Sequence, residues 1–294
     1  MKVLVSGGTG LVGRYVVEDL LAAGYAVVVG GRNPPQAGLF SRPVEFRPLS
    51  LDADLDQTAA FDDAYFFVHA AFDHVAGRYR GGEGDDPARF RRLNLDGTAR
   101  LFETAKRSGV RRAVFLSSRA VYDGLGDGLP LVETASLRPD SLYGEIKLLG
   151  EQVLSEMSAP GFVGASLRLT GVYGALRPNK WDGLVADYLA GIPVAPRAGS
   201  EVHGRDVGQA VRLMLETETA RVSGEVFNVS DMVIDSHDLL DVVRAATRCQ
   251  HALPSPADKA AVRAMATEKI RALGWKPGGE SLFESTVHCL VDSL

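Results

Sequence analysis

Tyr143 and Lys147 stand four residues apart in a stretch with helical apolar spacing, which puts them on one helix face. An ammonium beside a phenol stabilises the phenolate and lowers a pKa that starts at about 10. Such a tyrosine can pass a proton to or from a substrate oxygen. A Tyr-x-x-x-Lys pair alone arises often by chance, so its neighbours have to supply the weight. Ser117-Ser118-Arg119-Ala120-Val121-Tyr122 closes a strand-like run, and the Ser118 hydroxyl there could bond the same oxygen.

A second constellation lies at the start of the chain. Gly7, Gly10 and Gly13 form G-x-x-G-x-x-G between a strand pattern, Lys2 to Ser6, and a helix pattern, Leu11 to Ala23. In a dinucleotide fingerprint the first glycine permits the tight turn. The second lets backbone approach a pyrophosphate, and the third lets helix and strand touch closely. Amides at the helix start then face the phosphates. The plain alternative is an ordinary strand–turn–helix connection. An NAD site usually carries Asp or Glu at the end of the next strand. Here that strand ends Val29-Gly30-Gly31-Arg32, with no carboxylate until Glu45. A guanidinium in that place suits a 2'-phosphate, so the reading favours NADP, with NAD possible. Otherwise Arg32 is a solvated surface charge.

These groups need elements to hold them. Short strand patterns recur at Ala26 to Val29, Val44 to Arg47, Ala64 to Val68, Arg112 to Ser117 and Phe162 to Leu169. Helical patterns intervene, notably Pro87 to Arg107 and Tyr143 to Met157, the latter ended by Pro160-Gly161. Strands alternating with helices imply an α/β fold, a doubly wound parallel sheet of Rossmann type. The last third is less regular: helices are expected at Asp206 to Glu216, Asp238 to Thr247 and Asp258 to Leu273, and a strand at Glu225 to Val229. The polar stretch Asp73 to Asp86, with Gly77, Gly81, Gly82 and Gly84, reads as a mobile loop at the ligand edge.

Composition bounds the function classes. The chain has 294 residues, 46% hydrophobic and 23% charged, enough for one large domain or two unequal lobes and against wholesale disorder. A formal charge of -5 gives no support to a nucleic-acid or anionic-membrane surface. No run of about 20 apolar residues occurs, so a membrane span is not expected. Cys249 and Cys289 have no metal-ligand spacing, which points away from a disulfide scaffold or zinc site and toward a reducing cytoplasm. His69, His74 and His203 make no convincing metal set, so no metal is expected.

At this point the chain resembles the extended short-chain dehydrogenase/reductases, also called NAD-dependent epimerase/dehydratases. Gly7 to Gly13 looks like that family's nucleotide turn. Val68-His69-Ala70-Ala71 is similar to its His-Leu-Ala-Ala, with Val68 in place of the histidine. Asn94-Leu95-Asp96-Gly97-Thr98 resembles its Asn-x-x-Gly-Thr. Ser118 to Tyr122 and Tyr143 to Lys147 match the serine and tyrosine–lysine motifs. Leu167 to Gly174, His203 to Val207, Gly224 to Asn228 and Gly274 to Pro277 continue the likeness.

The resemblance implies that Tyr143 is the acid/base, that Lys147 binds the nicotinamide ribose and tunes Tyr143, and that Ser118 orients the reacting oxygen. It implies a cofactor lining of Thr9, Gly10, Leu11, Val12, Arg32, Ala70, Ala71 and the Leu169 to Val172 segment. Asn94 either contributes there or braces the crossover. Gly171 stands where many nucleotide-sugar enzymes have Asn, and Arg119 where sugar dehydratases have an acidic pair. Arg177, Lys180 and Trp181 could meet a phosphate or carboxylate and an apolar ring, or could simply form a loop base. Arg205 and Asp206 could pair across the lobes. Residues 1–170 should form the dinucleotide-binding domain, joined again by segments around 200–230. Residues 171–294 should be mainly a small substrate-binding lobe. The expected activity is NAD(P)-dependent oxidoreduction or epimerisation at a secondary alcohol or ketone of a sugar-like small molecule, including nucleotide sugars. The alternative is a non-catalytic NADP-binding sensor or scaffold. A homodimer through the Tyr143 helix and the preceding long helix is implied by the resemblance alone.

Overall fold

Short β-branched runs separated by amphipathic helices favour parallel strands joined by helical crossovers, and the chain adopts that arrangement. The computed structural model describes residues 1–75 and 81–293. The strands are β1 (Lys2–Ser6), β2 (Ala26–Gly31), β3 (Glu45–Pro48), β4 (Phe66–His69), β5 (Arg112–Ser118), β6 (Val163–Leu169), β7 (Gly171–Tyr173), β8 (Ala198–His203), β9 (Glu225–Val229) and β10 (Met232–Asp235). Seven of them form one sheet in the order β3-β2-β1-β4-β5-β6-β9, every neighbour parallel. The doubly wound sheet expected from the sequence is the observed fold. Strand order reverses beside β1, where β4 lies on its other side, and a crevice opens at the carboxyl ends there.

The helices are α1 (Leu11–Ala22), α2 (Pro87–Arg91), α3 (Gly97–Arg107), α4 (Leu142–Met157), α5 (Asp182–Leu189), α6 (Gly204–Glu216), α7 (Thr219–Val222), α8 (Ser236–Thr247), α9 (Glu268–Arg271) and α10 (Gly279–Asp292). Alternation along the strands sends side chains to two cores. Val3 and Val5 meet Val16, Leu20, Val207 and Val211 on one face. Leu4 and Phe67 meet Phe102, Phe115 and Leu154 on the other. A third core, with Trp181, Leu240 and Phe283, sits under the smaller three-stranded sheet β10-β8-β7. Only Thr170 separates β6 of the large sheet from β7 of the small one. Its N–H donates to Val229 O at 3.3 Å, while its Oγ1 donates to Ser200 O at 2.6 Å. Among the described residues no helix is long and apolar enough to cross a membrane.

Three departures from the sequence reading have physical causes. The expected helix from Pro87 to Arg107 is interrupted by a widened turn at Arg92–Asp96. There Asn94 takes up Asp73, accepting from its N–H at 2.7 Å and donating to its carbonyl at 2.8 Å. Asn94 therefore braces the segment after β4. The expected helix from Asp258 to Leu273 is not one helix: a short turn at Lys259–Ala261 and α9 flank an extended middle. Met265 bridges to Leu131, and Ala266 N–H donates to Leu131 O at 3.0 Å, so tertiary pairing overrides local propensity. The helix α10 was not foreseen; Gly278 caps it without a side-chain hydrogen bond. Of the expected Asp73 to Asp86 loop, Gly77 lies outside the described residues, and Val75 N–H donates to Gly82 O at 2.9 Å.

Two glycines let the first turn close on its neighbours. Gly7 has φ +68°, and a Cβ there would come within 2.7 Å of the Ala71 backbone. A Cβ on Gly13 would lie 2.1 Å from Gly7 O, so this glycine sets how closely α1 approaches the turn. Gly13→Ala should therefore lower unfolding stability by at least about 1–3 kcal/mol, since backbone rather than a side chain must yield. A urea titration gives the answer, and an unshifted midpoint would contradict the contact.

Candidate active site

The carboxyl edge of a parallel sheet collects the loops that follow its strands, and here those loops enclose one cavity of about 1530 Å³. The glycine turn supplies Gly7, Thr9, Gly10, Leu11, Val12 and Gly13 to its wall. The end of β2 adds Arg32, the end of β4 adds Ala70 and Ala71, and the β6–β7 junction adds Leu169 and Val172. Ser118, Tyr143 and Lys147 line the same space. Every residue singled out as catalytic or cofactor-binding thus reaches one cavity. The wall also includes Ser6, Leu51, Asp52, Phe72 and Glu201, which the sequence reading did not single out.

The first half of this wall has the backbone features that a dinucleotide's phosphates require. No side chain caps the start of α1, so its first turn opens on the cavity with backbone rather than with a competing hydroxyl or carboxylate. The Gly7 and Gly13 contacts hold that turn too tightly for side chains to fill it.

The catalytic candidates are held from beneath. Ser118 ends β5 and caps the following turn, its Oγ accepting from Ala120 N–H at 3.2 Å. Tyr143 lies in the first turn of α4, whose Ser141 cap accepts from Gly144 N–H at 3.1 Å. Phe72 meets Tyr143 edge-on at 5.1 Å between ring centroids. Lys147, one turn on, is buried and donates to Leu116 O at 2.8 Å. Its ammonium lies 4.4 Å from the Phe72 ring centroid, 4.8 Å from that of Phe115 and 5.9 Å from that of Tyr143. Burial pulls its pKa down to about 7, with Glu151 opposing.

Glu151, one further turn along α4, anchors a buried network. Arg168 of β6 donates to it through Nη2 at 2.7 Å and Nε at 3.0 Å, and Ser117 Oγ donates to it as well. The two charged side chains are only 4% and 3% exposed. Arg168 Nη1 also donates to Tyr122 Oη at 2.7 Å, and Tyr122 donates to Asn228 Oδ1 at 2.8 Å. Asn228 Nδ2 donates in turn to Leu131 O and Ala266 O, each at 3.0 Å. The pair is thus bidentate and each member has a further hydrogen-bond partner, the condition under which a buried pair is tolerated. The sequence signal was present: Glu151 sits four residues after Lys147, and Arg168 interrupts an otherwise apolar strand.

His69 is buried and neutral. Thr98 Oγ1 donates to Asn94 O at 2.6 Å, so it accepts from His69 Nε2 at 2.9 Å, leaving Nδ1 to accept from Ser6 Oγ at 2.6 Å. Burial, with the Lys147 charge nearby, takes its pKa down to about 3. The remaining sequence candidates divide between the cavity and other surroundings. Arg177 pairs with Asp182 and donates to Leu290 O at 2.9 Å, away from the cavity wall. Trp181 stacks on Tyr173 at 4.9 Å but reaches the cavity, as does Lys180. Arg205 approaches Asp206 at 3.8 Å.

The model of the NAD dependent epimerase/dehydratase family matches residues 3–230. UDP-glucose 4-epimerase of Bacillus subtilis is 33% identical over 163 residues, covering 53% of this chain and 48% of that protein. D-erythronate dehydrogenase of Cupriavidus necator is 32% identical over 211 residues, 68% of this chain and 63% of that one. The chain spans about half the length of most of the curated relatives it matches. Among solved structures, the UDP-glucose 4-epimerase of Thermus thermophilus in complex with NAD has a TM-score of 0.75 at 27% identity, covering 99% of this chain and 98% of that one. MoeE5 with UDP-glucose and NAD has a TM-score of 0.78 at 25% identity, covering 100% and 99%.

NAD in these complexes overturns the expected preference for NADP. The reason is local: Arg32 is 77% exposed and turns its guanidinium to within 3.5 Å of Asp73, a carboxylate that also takes Arg89 at 3.3 Å. Asp73 thus draws this guanidinium toward the segment after β4, and among the described residues nothing holds it as a dedicated 2'-phosphate ligand.

Two outcomes follow for stability. Glu151→Ala leaves Arg168 buried and unpaired and should cost about 3–5 kcal/mol, whereas Glu151→Leu with Arg168→Met should recover most of it. Equal losses for the single and double variants in urea would refute the account. For His69, the unfolded chain binds a proton below about 6.5 and the folded one only below about 3. Stability should therefore fall as pH drops from about 6.5, and His69→Leu should flatten that slope in pH-resolved unfolding.

Proposed function

The chain belongs to the NAD-dependent epimerase/dehydratase family, and from that premise we propose that it is an NAD-dependent enzyme moving hydride at a secondary alcohol or ketone of a sugar or nucleotide sugar. The observation that carries the reading is the meeting of Ser118, Tyr143 and Lys147 with the glycine turn on one cavity. A protein that only sensed its cofactor would have little use for that set. Residues 1–170, rejoined by α6 and β9, hold the cofactor, and the later segments form the substrate lobe.

The glycine turn, Ala70–Ala71 and Leu169–Val172 would hold NAD, which would supply the acceptor or donor of hydride. Ser118 Oγ donates to the reacting oxygen and fixes its position. Tyr143, as phenolate, takes the hydroxyl proton when the alcohol is oxidised and returns it when the ketone is reduced. Lys147 lowers the cost of that phenolate by its charge, and Leu116 O holds it in place. Phe72 and Phe115 shield this ammonium from water.

Epimerisation is the first reading, because UDP-glucose 4-epimerases recur among the relatives. Net oxidation is the second, favoured by the longer match to D-erythronate dehydrogenase. The unpaired Cys249 and Cys289 support a reducing, cytoplasmic setting. The partners of this reading are small molecules, with a second copy of the chain docking through α4 and the α2–α3 helix.

Incubating NAD-loaded protein with UDP-glucose or D-erythronate separates the two readings. Epimerisation converts sugar with no lasting absorbance from reduced nicotinamide, whereas dehydrogenation accumulates it. Tyr143→Phe should lower turnover by at least about 100-fold while NAD affinity stays nearly unchanged. Full activity in that variant would remove Tyr143 from the chemistry.

A further inference from the structure

One charged pair on the cavity wall is built differently from the closed Glu151–Arg168 network. Glu201 of β8 stands in register with Gly171 of β7, just past the Leu169 that pairs with Ser118 across β5 and β6. Its side chain is 13% exposed and pairs with Lys180, which is 30% exposed. A Cβ on Gly171 would lie 2.4 Å from Glu201 Oε2 and 2.8 Å from Oε1, so the carboxylate fills the space that a side chain at 171 would take.

On the reading of a sugar-directed enzyme, we propose that Glu201 and Lys180 clamp two neighbouring hydroxyls of the substrate, Glu201 Oε1 accepting from one and Lys180 Nζ donating to the other. The pair's unused valences point to this ligand chemistry. Among the described residues, Oε1 has no hydrogen-bond donor, and Nζ spends one of its three N–H groups on Oε2. The ammonium also lies 5.4 Å from the Trp181 ring centroid, and burial draws its pKa below the usual lysine range while Glu201 opposes. A half-satisfied, half-buried pair is a poor source of stability. Its worth lies in an adjacent acceptor and donor, which neutral hydroxyls complement and a lone anion does not. A substrate carboxylate at this point would meet Glu201 as a like charge. Gly171 then has a function: it keeps the place open for a carboxylate delivered from the neighbouring strand.

The test measures binding of UDP-glucose, its 2-, 3- and 6-deoxy analogues, and UDP-glucuronic acid to NAD-loaded protein by calorimetry. Glu201→Gln and Lys180→Met should each weaken UDP-glucose about 10- to 100-fold, with NAD affinity unchanged. One deoxy analogue should bind wild type and Glu201→Gln alike, identifying the hydroxyl concerned. Gly171→Ala keeps both charges but pushes the flexible carboxylate aside, and should reproduce the loss in a folded protein. If wild type binds UDP-glucose and all three variants bind it equally well, the clamp is wrong and the wider reading stands. Tighter UDP-glucuronic acid binding by wild type than by Lys180→Met, with UDP-glucose unaffected, would also overturn it, making Lys180 an anion site. If no sugar binds wild type that holds NAD normally, the sugar-directed reading falls and takes the clamp with it.

Discussion

A buried ammonium has to find partners, and much of the site's architecture follows from where Lys147 finds them. Leu116 O takes one N–H, the rings of Phe72 and Phe115 face the charge, and Glu151 offsets it from one turn away. Glu151 can serve in this position because Arg168 and Ser117 hold it. The consequence runs along β5: Leu116, Ser117 and Ser118 are consecutive, one binding Lys147, one binding Glu151 and one reaching the cavity. Fixing the charge therefore also fixes the serine. Without that arrangement a lysine in this place would shed its proton and leave Tyr143 without a neighbouring charge.

The same network extends far beyond the chemistry. Arg168 leads through Tyr122 to Asn228, and Asn228 fastens Leu131 and Ala266, segments distant in sequence, at the far edge of the sheet. This is the tie that draws the Val262–Ala266 stretch out of a helix. The C-terminal segment around Ala266 is thus tied to the large sheet by buried polar bonds, while the smaller sheet rests on an apolar core of its own around Trp181 and Phe283.

What could be read from the sequence was what is local. The glycine turn, the Tyr143–Lys147 spacing and the alternation of short strands with helices are contiguous patterns, and each appears in the fold where it was expected. What escaped depends on segments meeting in space. The pairing of Glu151 with Arg168 joins a helix to a strand 17 residues away, and Glu201 acquires meaning only beside Gly171. Arg32 misled for the same reason: its neighbour Asp73 comes from a different strand end, so the contact could not be seen when read along the chain. The α10 helix lacked the side-chain cap that usually announces a start.

Thr170 gives the two lobes a stiff joint. Its main chain belongs to the large sheet through Val229, while its hydroxyl belongs to the small ribbon through Ser200. A clamshell rotation about this point would strain one bond or the other.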